Sequence, residues 1–99
     1  MATEAEIYNA LREVRDPEIG INVVDLGLIY GVKTQGERVD VEMTLTTPGC
    51  PMRQQLGNAV GEAVENLPGV KDVYVRIVWE PRWTQDRLSE QAKRELGLT

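Results

Sequence analysis

The chain contains no histidine and only one cysteine among its 99 residues. Histidine is the usual base in Ser-His and Cys-His catalytic pairs and a common metal ligand, so its absence excludes those arrangements. One cysteine cannot form an internal disulfide, and one such chain cannot supply four conventional zinc or iron–sulfur ligands. A metal site must therefore be shared between chains, completed by an outside thiol, or built on oxygen ligands.

A basic excess and a long hydrophobic run are also missing. The net charge of −5 and the isoelectric point near 4.7 argue against binding to nucleic acid or to an anionic membrane surface. No apolar run approaches the ~20 residues that span a bilayer, and the N-terminus MATEAE lacks the pattern of a secretion signal. Together with the lone cysteine, these features favour the cytoplasm.

What is present is an ordinary globular composition, 41% hydrophobic and 27% charged, which predicts a single domain over residues 1–99. The first helix is predicted over residues 3–14, where Thr3 and Glu6 form a capping-box pattern. Asp16 precedes a proline and is expected to end that helix, because the residue before proline avoids helical geometry.

Two more helices are predicted later in the chain. The second covers residues 52–67, and its Gly57 and Gly61 are expected to allow close packing against the sheet or a partner. The last begins at Thr84, which is expected to cap it, and carries only a thin apolar stripe. A helix with so little apolar surface is expected to lie over a sheet edge or on a second chain.

Alternating apolar residues predict three strands, over residues 28–34, 39–45 and 73–79. The first two flank a short turn at Gly36 and form a hairpin. A right-handed crossover through the second helix then brings the third strand parallel to the second. The predicted fold is of the α/β (α+β) class, with the order α-β-β-α-β-α and helices mainly on one face of a three-stranded mixed sheet. Its exposed edges favour self-association.

The lone cysteine lies where the second strand passes into the second helix. It belongs to the run Thr46, Thr47, Pro48, Gly49, Cys50 and Pro51. Proline and glycine favour a turn there, and Pro51 suits the first helical position, so Cys50 is predicted at a helix N-cap. The positive end of the helix dipole lowers the pKa of such a thiol and favours the thiolate, which is both nucleophile and metal ligand. The alternative is a structural turn with a small buried hydrophobe.

Residues 15–27 form an irregular segment that is too apolar for a free loop and is expected to pack on the fold. Three acids lie on it: Asp16, Glu18 and Asp25. Each is a candidate neighbour of Cys50, and the alternative for each is turn and capping chemistry. Thr46 and Thr47 either present hydroxyls near the thiol or serve as β-branched residues with capping bonds at a strand end.

Four motifs follow one another along the chain: DPE at 16–18, VDLGLIY at 24–30, MTLTTPGCP at 43–51 and WEPRWT at 79–84. In this order they resemble the MIP18 family, formerly a domain of unknown function, whose bacterial members include SufT-like and PaaD-like proteins. The resemblance runs over residues 4–93. It implies the small α/β fold of iron–sulfur assembly domains, which agrees with the order of elements predicted above.

The resemblance implies a role in the maturation of metal–sulfur proteins, with the family's reactive cysteine at Cys50 and its acidic loop residue at Asp16. SufT-like members support iron–sulfur cluster assembly or delivery, whereas PaaD-like members accompany a ring-hydroxylating phenylacetyl-CoA oxygenase. PaaD-like proteins typically continue into a cysteine-rich C-terminal segment. This chain ends at Thr99 without one, which weakens the PaaD-like interpretation.

Three functions are considered for this chain: an accessory factor, an adaptor and an enzyme. The first is an accessory factor whose Cys50 holds iron or a labile cluster, shared between two chains or with an outside thiol, while it serves assembly machinery and client apo-proteins. The second is an adaptor without metal, in which Trp79 and Trp83 contact partners rather than only packing in the core. The third is an enzyme with Cys50 as nucleophile, which is disfavoured because no histidine base or resolving cysteine is available. We expect an accessory protein and no catalysis.

Overall fold

The computed structural model describes residues 2–17, 19–46 and 53–97, with residue 53 described by its backbone alone. Some residues of the predicted site lie outside this set, so the predictions made for them stay predictions. They are Glu18, Thr47, Pro48, Gly49, Cys50 and Pro51.

The described elements follow the predicted order, with one short 3-10 helix added at Gln85–Arg87. The helices are α1 (Glu4–Leu11), α2 (Arg53–Glu65) and α3 (Glu90–Glu95). The strands are β1 (Ile29–Gln35), β2 (Arg38–Met43) and β3 (Asp72–Ile77). No helix in the described part of the chain is long and apolar enough to cross a membrane.

β2 is the central strand of the sheet, antiparallel to β1 and parallel to β3, as predicted. Its alternate residues Val39, Val41 and Met43 are buried and contribute to one hydrophobic core with the apolar faces of α1 and α2. Asp40 and Glu42 alternate to the other face, which remains open. The α+β class, the mixed sheet and its helical face are therefore confirmed.

α1 begins as predicted and ends earlier than predicted. Thr3 Oγ1 accepts a bond from the Glu6 backbone N–H at 3.1 Å, and the Glu6 carboxylate accepts one from the Thr3 N–H at 3.1 Å. The helix ends at Leu11 rather than at Val14, about one turn earlier than predicted, so the Asp16-Pro17 step does not end it. Val14 leaves the helix because its carbonyl accepts a bond from Val23 N–H at 2.9 Å and its side chain joins the core.

The prediction for the last helix is wrong at its start. Thr84 makes no side-chain capping bond and precedes only the 3-10 helix, whereas Ser89 caps α3 by accepting a bond from the Ala92 N–H at 3.1 Å. Leu88 has extended backbone geometry between the two helices, which breaks the expected continuous stripe. Leu88 and Ala92 are buried, but Leu96 is 42% exposed.

The two glycines of α2 differ in their surroundings. A Cβ at Gly61 would lie 3.8 Å from Val75 Cγ2, so α2 does approach β3 there. A Cβ at Gly57 would meet nothing within 4 Å, so Gly57 does not pack closely against the sheet, and the alternative of packing against a partner stays a prediction. Gly57 instead borders an open groove between α2 and β3.

The loop of residues 15–27 packs on the fold as expected, with Ile21, Val23 and Leu26 buried. It ends at Gly27, whose φ is +77° and whose Cα approaches the 3-10 helix so closely that a Cβ would lie 2.3 Å from the carbonyl oxygen of Arg87. Only glycine has both the backbone freedom and the lack of a side chain that this contact requires.

We expect Gly27→Ala to lower the free energy of unfolding by about 3 kcal/mol or more, since backbone strain and a clash with main-chain atoms add together. Gly20→Ala is the matched control, because Gly20 also has a positive φ, +82°, but a Cβ there meets nothing within 4 Å. It is expected to cost about 1 kcal/mol. If the two variants lose equal free energies of unfolding in urea denaturation, the close contact of Gly27 with Arg87 is contradicted.

Candidate functional site

The candidate site lies at the carboxyl end of β2, from which the chain runs on toward Cys50. Thr44 and Leu45 are buried there and Thr46 is half-buried, immediately before the undescribed residues 47–52. A cavity of about 250 Å³ opens beside them. Its lining consists of Thr44, Leu45, Thr46, Trp79, Glu80, Arg82 and Trp83. Thus the structure brings Thr46 and both tryptophans together at this end of the sheet.

The two tryptophans are both partly buried and packed against the core while they line this cavity. Trp83 also has a polar anchor, because its Nε1–H donates a hydrogen bond to the carbonyl oxygen of Leu26 at 2.7 Å. This bond joins the C-terminal part of the chain to the loop that carries Asp16. Packing against the core therefore explains the buried part of each tryptophan side chain. The role of the two tryptophans in contacting partners stays a prediction.

Asp16 is one of the few buried polar residues in the described chain, with 5% of its surface exposed. Its backbone is fixed by two bonds within the loop: its N–H donates to Ile21 O at 3.0 Å and its carbonyl accepts from Gly20 N–H at 2.7 Å. These bonds and its burial hold Asp16 in a fixed position on the loop, and its role beside Cys50 stays a prediction.

Asp25 has a different environment from Asp16. Its Oδ2 accepts a hydrogen bond from Asn22 Nδ2 at 2.6 Å, and Asn22 Oδ1 accepts the N–H groups of Val24 and Asp25 at 3.0 and 2.9 Å. The carbonyl of Asp25 accepts a bond from Ser89 N–H at 2.8 Å. This is the turn chemistry named as the alternative for the loop acids, and Asp25 holds the loop to the start of α3.

Several residues of this region were missed by the sequence reasoning. Asn22 organises the loop, and its spacing from Asp25 is a turn signal that could have indicated it. Tyr30 donates from its hydroxyl to Pro81 O at 2.7 Å, and the Arg87 guanidinium lies 4.5 Å from the centre of its ring. Thr44, with 1% exposure, lines the cavity. The contacts of Tyr30 join distant parts of the chain and leave no local signal.

A metal site made of described residues alone is absent. Among residues 2–17, 19–46 and 53–97, no group of three or more His, Cys, Asp or Glu side chains is placed to hold a metal ion. A ligand set for iron or a cluster would therefore have to include residues or molecules beyond these.

Comparison with known proteins places the chain in a family. The model of the iron–sulfur cluster assembly protein family matches residues 4–77, and the chain belongs to that family. The chain is 43% identical over 98 residues to the Fe-S protein maturation auxiliary factor YitW of Bacillus subtilis, covering 98% of this chain and 96% of that protein. It is 46% identical over 87 residues to the Fe-S protein maturation auxiliary factor SufT of Staphylococcus aureus, covering 87% of this chain and 99% of that protein.

The fold is also shared with a solved structure, a domain of unknown function, DUF59, from Bacillus anthracis. It superposes with a TM-score of 0.91 at 38% identity, over 97% of this chain and 92% of that one. A PaaD-type relative is more distant: a putative component of the 1,2-phenylacetyl-CoA epoxidase of Escherichia coli is 34% identical, and the match covers 59% of its length. The resemblance to the MIP18 family and its SufT-like and PaaD-like members is thereby confirmed.

We expect Trp83→Phe to lower the free energy of unfolding by about 1 kcal/mol, because it removes the bond to Leu26 O and keeps most of the ring packing. Amide exchange should accelerate at Leu26 and its neighbours more than in α1. Tyr30→Phe is the matched control, since it removes another long-range bond, to Pro81, at an exposed site. An exchange pattern in the loop that is unchanged by Trp83→Phe would contradict the anchoring role.

Proposed function

We propose that the protein is a SufT-like accessory factor for iron–sulfur proteins, which assists the assembly of clusters or their delivery to client apo-proteins without catalysis of its own. The observation that carries this proposal is the similarity to two maturation auxiliary factors along 96% and 99% of their length. Cys50 is the proposed functional thiol, either a transient ligand of iron or a cluster or a contact to the client.

The chemistry of a lone thiol suits a transient hold on cargo. Cys50 is the single conventional sulfur ligand of the chain, and the described residues offer no complete metal site. A cluster held by one protein thiolate needs the remaining ligands from a second chain, from glutathione or from the client. A ligand set divided between molecules in this way exchanges its ligands readily. A carrier of clusters requires such exchange, whereas a storage protein does not. No tightly bound cofactor is proposed.

The described side chains around the end of β2 support this assignment of the site. Thr44, Trp79 and Trp83 form a wall beside the strand end that leads to Cys50. Asp16, buried at 5% exposure, is the proposed acidic neighbour. We propose that the tryptophan wall excludes water and receives a client surface, since aromatic residues are frequent at the centre of interfaces. Partners would be the assembly machinery and client apo-proteins in the cytoplasm, and neither nucleic acid nor membrane.

Two alternatives receive less support. The role of an oxygenase accessory protein is favoured by the relative from Escherichia coli, but this chain spans 59% of that protein against 99% of the SufT relative. The role of a metal-free adaptor is favoured by the tryptophan wall, which needs no thiol. Replacement of Cys50 distinguishes the adaptor from the thiol-dependent factor.

We expect Cys50→Ala and Cys50→Ser to abolish restoration of client activity in cells that lack the protein. Serine keeps the approximate size of the side chain but is a poor ligand for iron, so the two variants together separate the thiol from its volume. Enzyme activity of an iron–sulfur client, relative to the amount of client protein, is the measurement. If both variants restore activity like the parent and fold equally well, the thiol-dependent proposal is wrong and the adaptor is favoured.

We expect Asp16→Asn to lower client activation by about tenfold, the size typical of a residue that orients a metal ligand. The substitution keeps the shape of the side chain and removes its charge. Asp25→Asn is the matched control on the same loop, because its side-chain oxygen can still accept the bond from Asn22. Equal effects of both substitutions, tracking their urea midpoints, would assign Asp16 to the stability of the loop alone.

A further inference from the structure

The outer edge of β3 is open in the described structure. The sheet order is β1-β2-β3, so no described strand pairs with the far side of β3. Val78, which directly follows β3, donates its N–H to Met43 O on β2 at 2.8 Å. The even-numbered residues of β3 therefore point their N–H and C=O groups toward β2. Because successive residues of a strand direct their backbone groups to opposite sides, the N–H and C=O groups of Val73, Val75 and Ile77 point away from the sheet.

The same three residues also form the floor of an open groove. It has a volume of about 850 Å³ and lies between β3 and α2. Its other wall consists of Gln54, Gly57, Asn58, Gly61, Glu62 and Glu65. An edge strand with apolar side chains and free hydrogen-bonding groups is a template for another strand, and natural sheets usually protect such edges with charges or proline. Here none of the residues that the structure describes fills the space beside the edge.

We infer that this edge pairs with the same edge of a second copy of the chain, antiparallel, with Val75 facing the partner's Val75 across a two-fold axis. Val73 then faces the partner's Ile77, and Tyr74 faces the partner's Arg76. The two sheets become one sheet of six strands. A two-fold interface needs a surface that is complementary to itself, and the register centred on Val75 has that property.

Charge complementarity on the open face favours this occupant. Tyr74 is 53% exposed, and its ring lies 4.2 Å from the Arg38 guanidinium. In the sheet register Tyr74 lies beside Asp40, and Arg76 lies beside Glu42, with which it forms an ion pair. The pairing places the partner's Arg76 against Tyr74 and one strand beyond Asp40. Each of the two symmetric rows then reads Asp40, Tyr74, the partner's Arg76 and the partner's Glu42, so that a tyrosine ring meets a guanidinium at the junction and no like charges face each other.

The groove side of the pair is also compatible. The two α2 helices lie on one face of the joined sheet and run antiparallel to each other. The acidic end of each, with Glu62 and Glu65, therefore faces the start of the partner's helix near its Gln54. A parallel arrangement would bring the acidic ends together, which is unfavourable for chains with a net charge of −5. In the antiparallel pair the carboxyl ends of the two β2 strands lie at opposite ends of the joined sheet, so the two cavities lined by Trp79 and Trp83 are separate.

Amide hydrogen exchange at low and high protein concentration tests the pairing residue by residue. We expect the N–H groups of Val73, Val75 and Ile77 to exchange more slowly as concentration rises, and those of Tyr74 and Arg76 to be protected throughout by β2. Sedimentation velocity should show a monomer–dimer equilibrium over the same range. A monomer at all concentrations, or protection of these three amides only when a client apo-protein is added, would overturn the inference.

A charge exchange tests the register. Tyr74→Arg opposes two arginines across each row and is expected to weaken the dimer by about tenfold or more. Adding Arg76→Glu to that variant restores opposite charges and should recover the affinity. Gln35→Arg is the matched control, because it places an arginine on the exposed end of β1, away from this edge. A dimer that is equally weakened by Gln35→Arg, or unchanged by Tyr74→Arg, would show that a different surface is used.

Discussion

The pairing of β2 with a strand on each side is the constraint on which the rest of the structure depends. Its alternation buries Val39, Val41 and Met43 and turns Asp40 and Glu42 to the open face. Because the period of a strand is two residues, a slip of one position would exchange these faces and remove the core from α1 and α2. The same register places Thr44, Leu45 and Thr46, which follow β2 and precede the segment of Cys50, beside Trp79 and Trp83.

The C-terminal part of the chain holds the loop of residues 15–27 in place. The three contacts that do this differ in kind: the Trp83 hydrogen bond to Leu26, the Ser89 hydrogen bond to Asp25, and the close approach of Gly27 to the 3-10 helix. They fix the loop on which Asp16 is buried. A loop held in this way keeps the buried Asp16 in a fixed position.

Local patterns predicted the elements, and long-range contacts escaped prediction. The capping box at Thr3 and the alternation of β2 are encoded within a few residues, so both were predicted correctly. The apolar spacing predicts the cap at Thr84 instead of Ser89, because it does not reveal that the chain is extended at Leu88. The bond from Trp83 to Leu26 spans 57 positions and has no sequence signal. For the site, the sequence indicated Asp16 and the tryptophans, whereas the burial of Thr44 and the turn role of Asp25 emerged only from the packing.

The central proposal is that Cys50 is a transient ligand of iron or a cluster, with contact to the client as the alternative. Its most direct test is the content of iron and acid-labile sulfide per chain, with an absorption spectrum, in protein purified without oxygen after co-expression with a cluster-assembly system. We expect iron and sulfide in the parent protein, their loss on exposure to air, and their absence from Cys50→Ala purified in parallel. Parent protein without iron and sulfide, or equal amounts in the parent and the variant, would contradict the role of Cys50 as ligand.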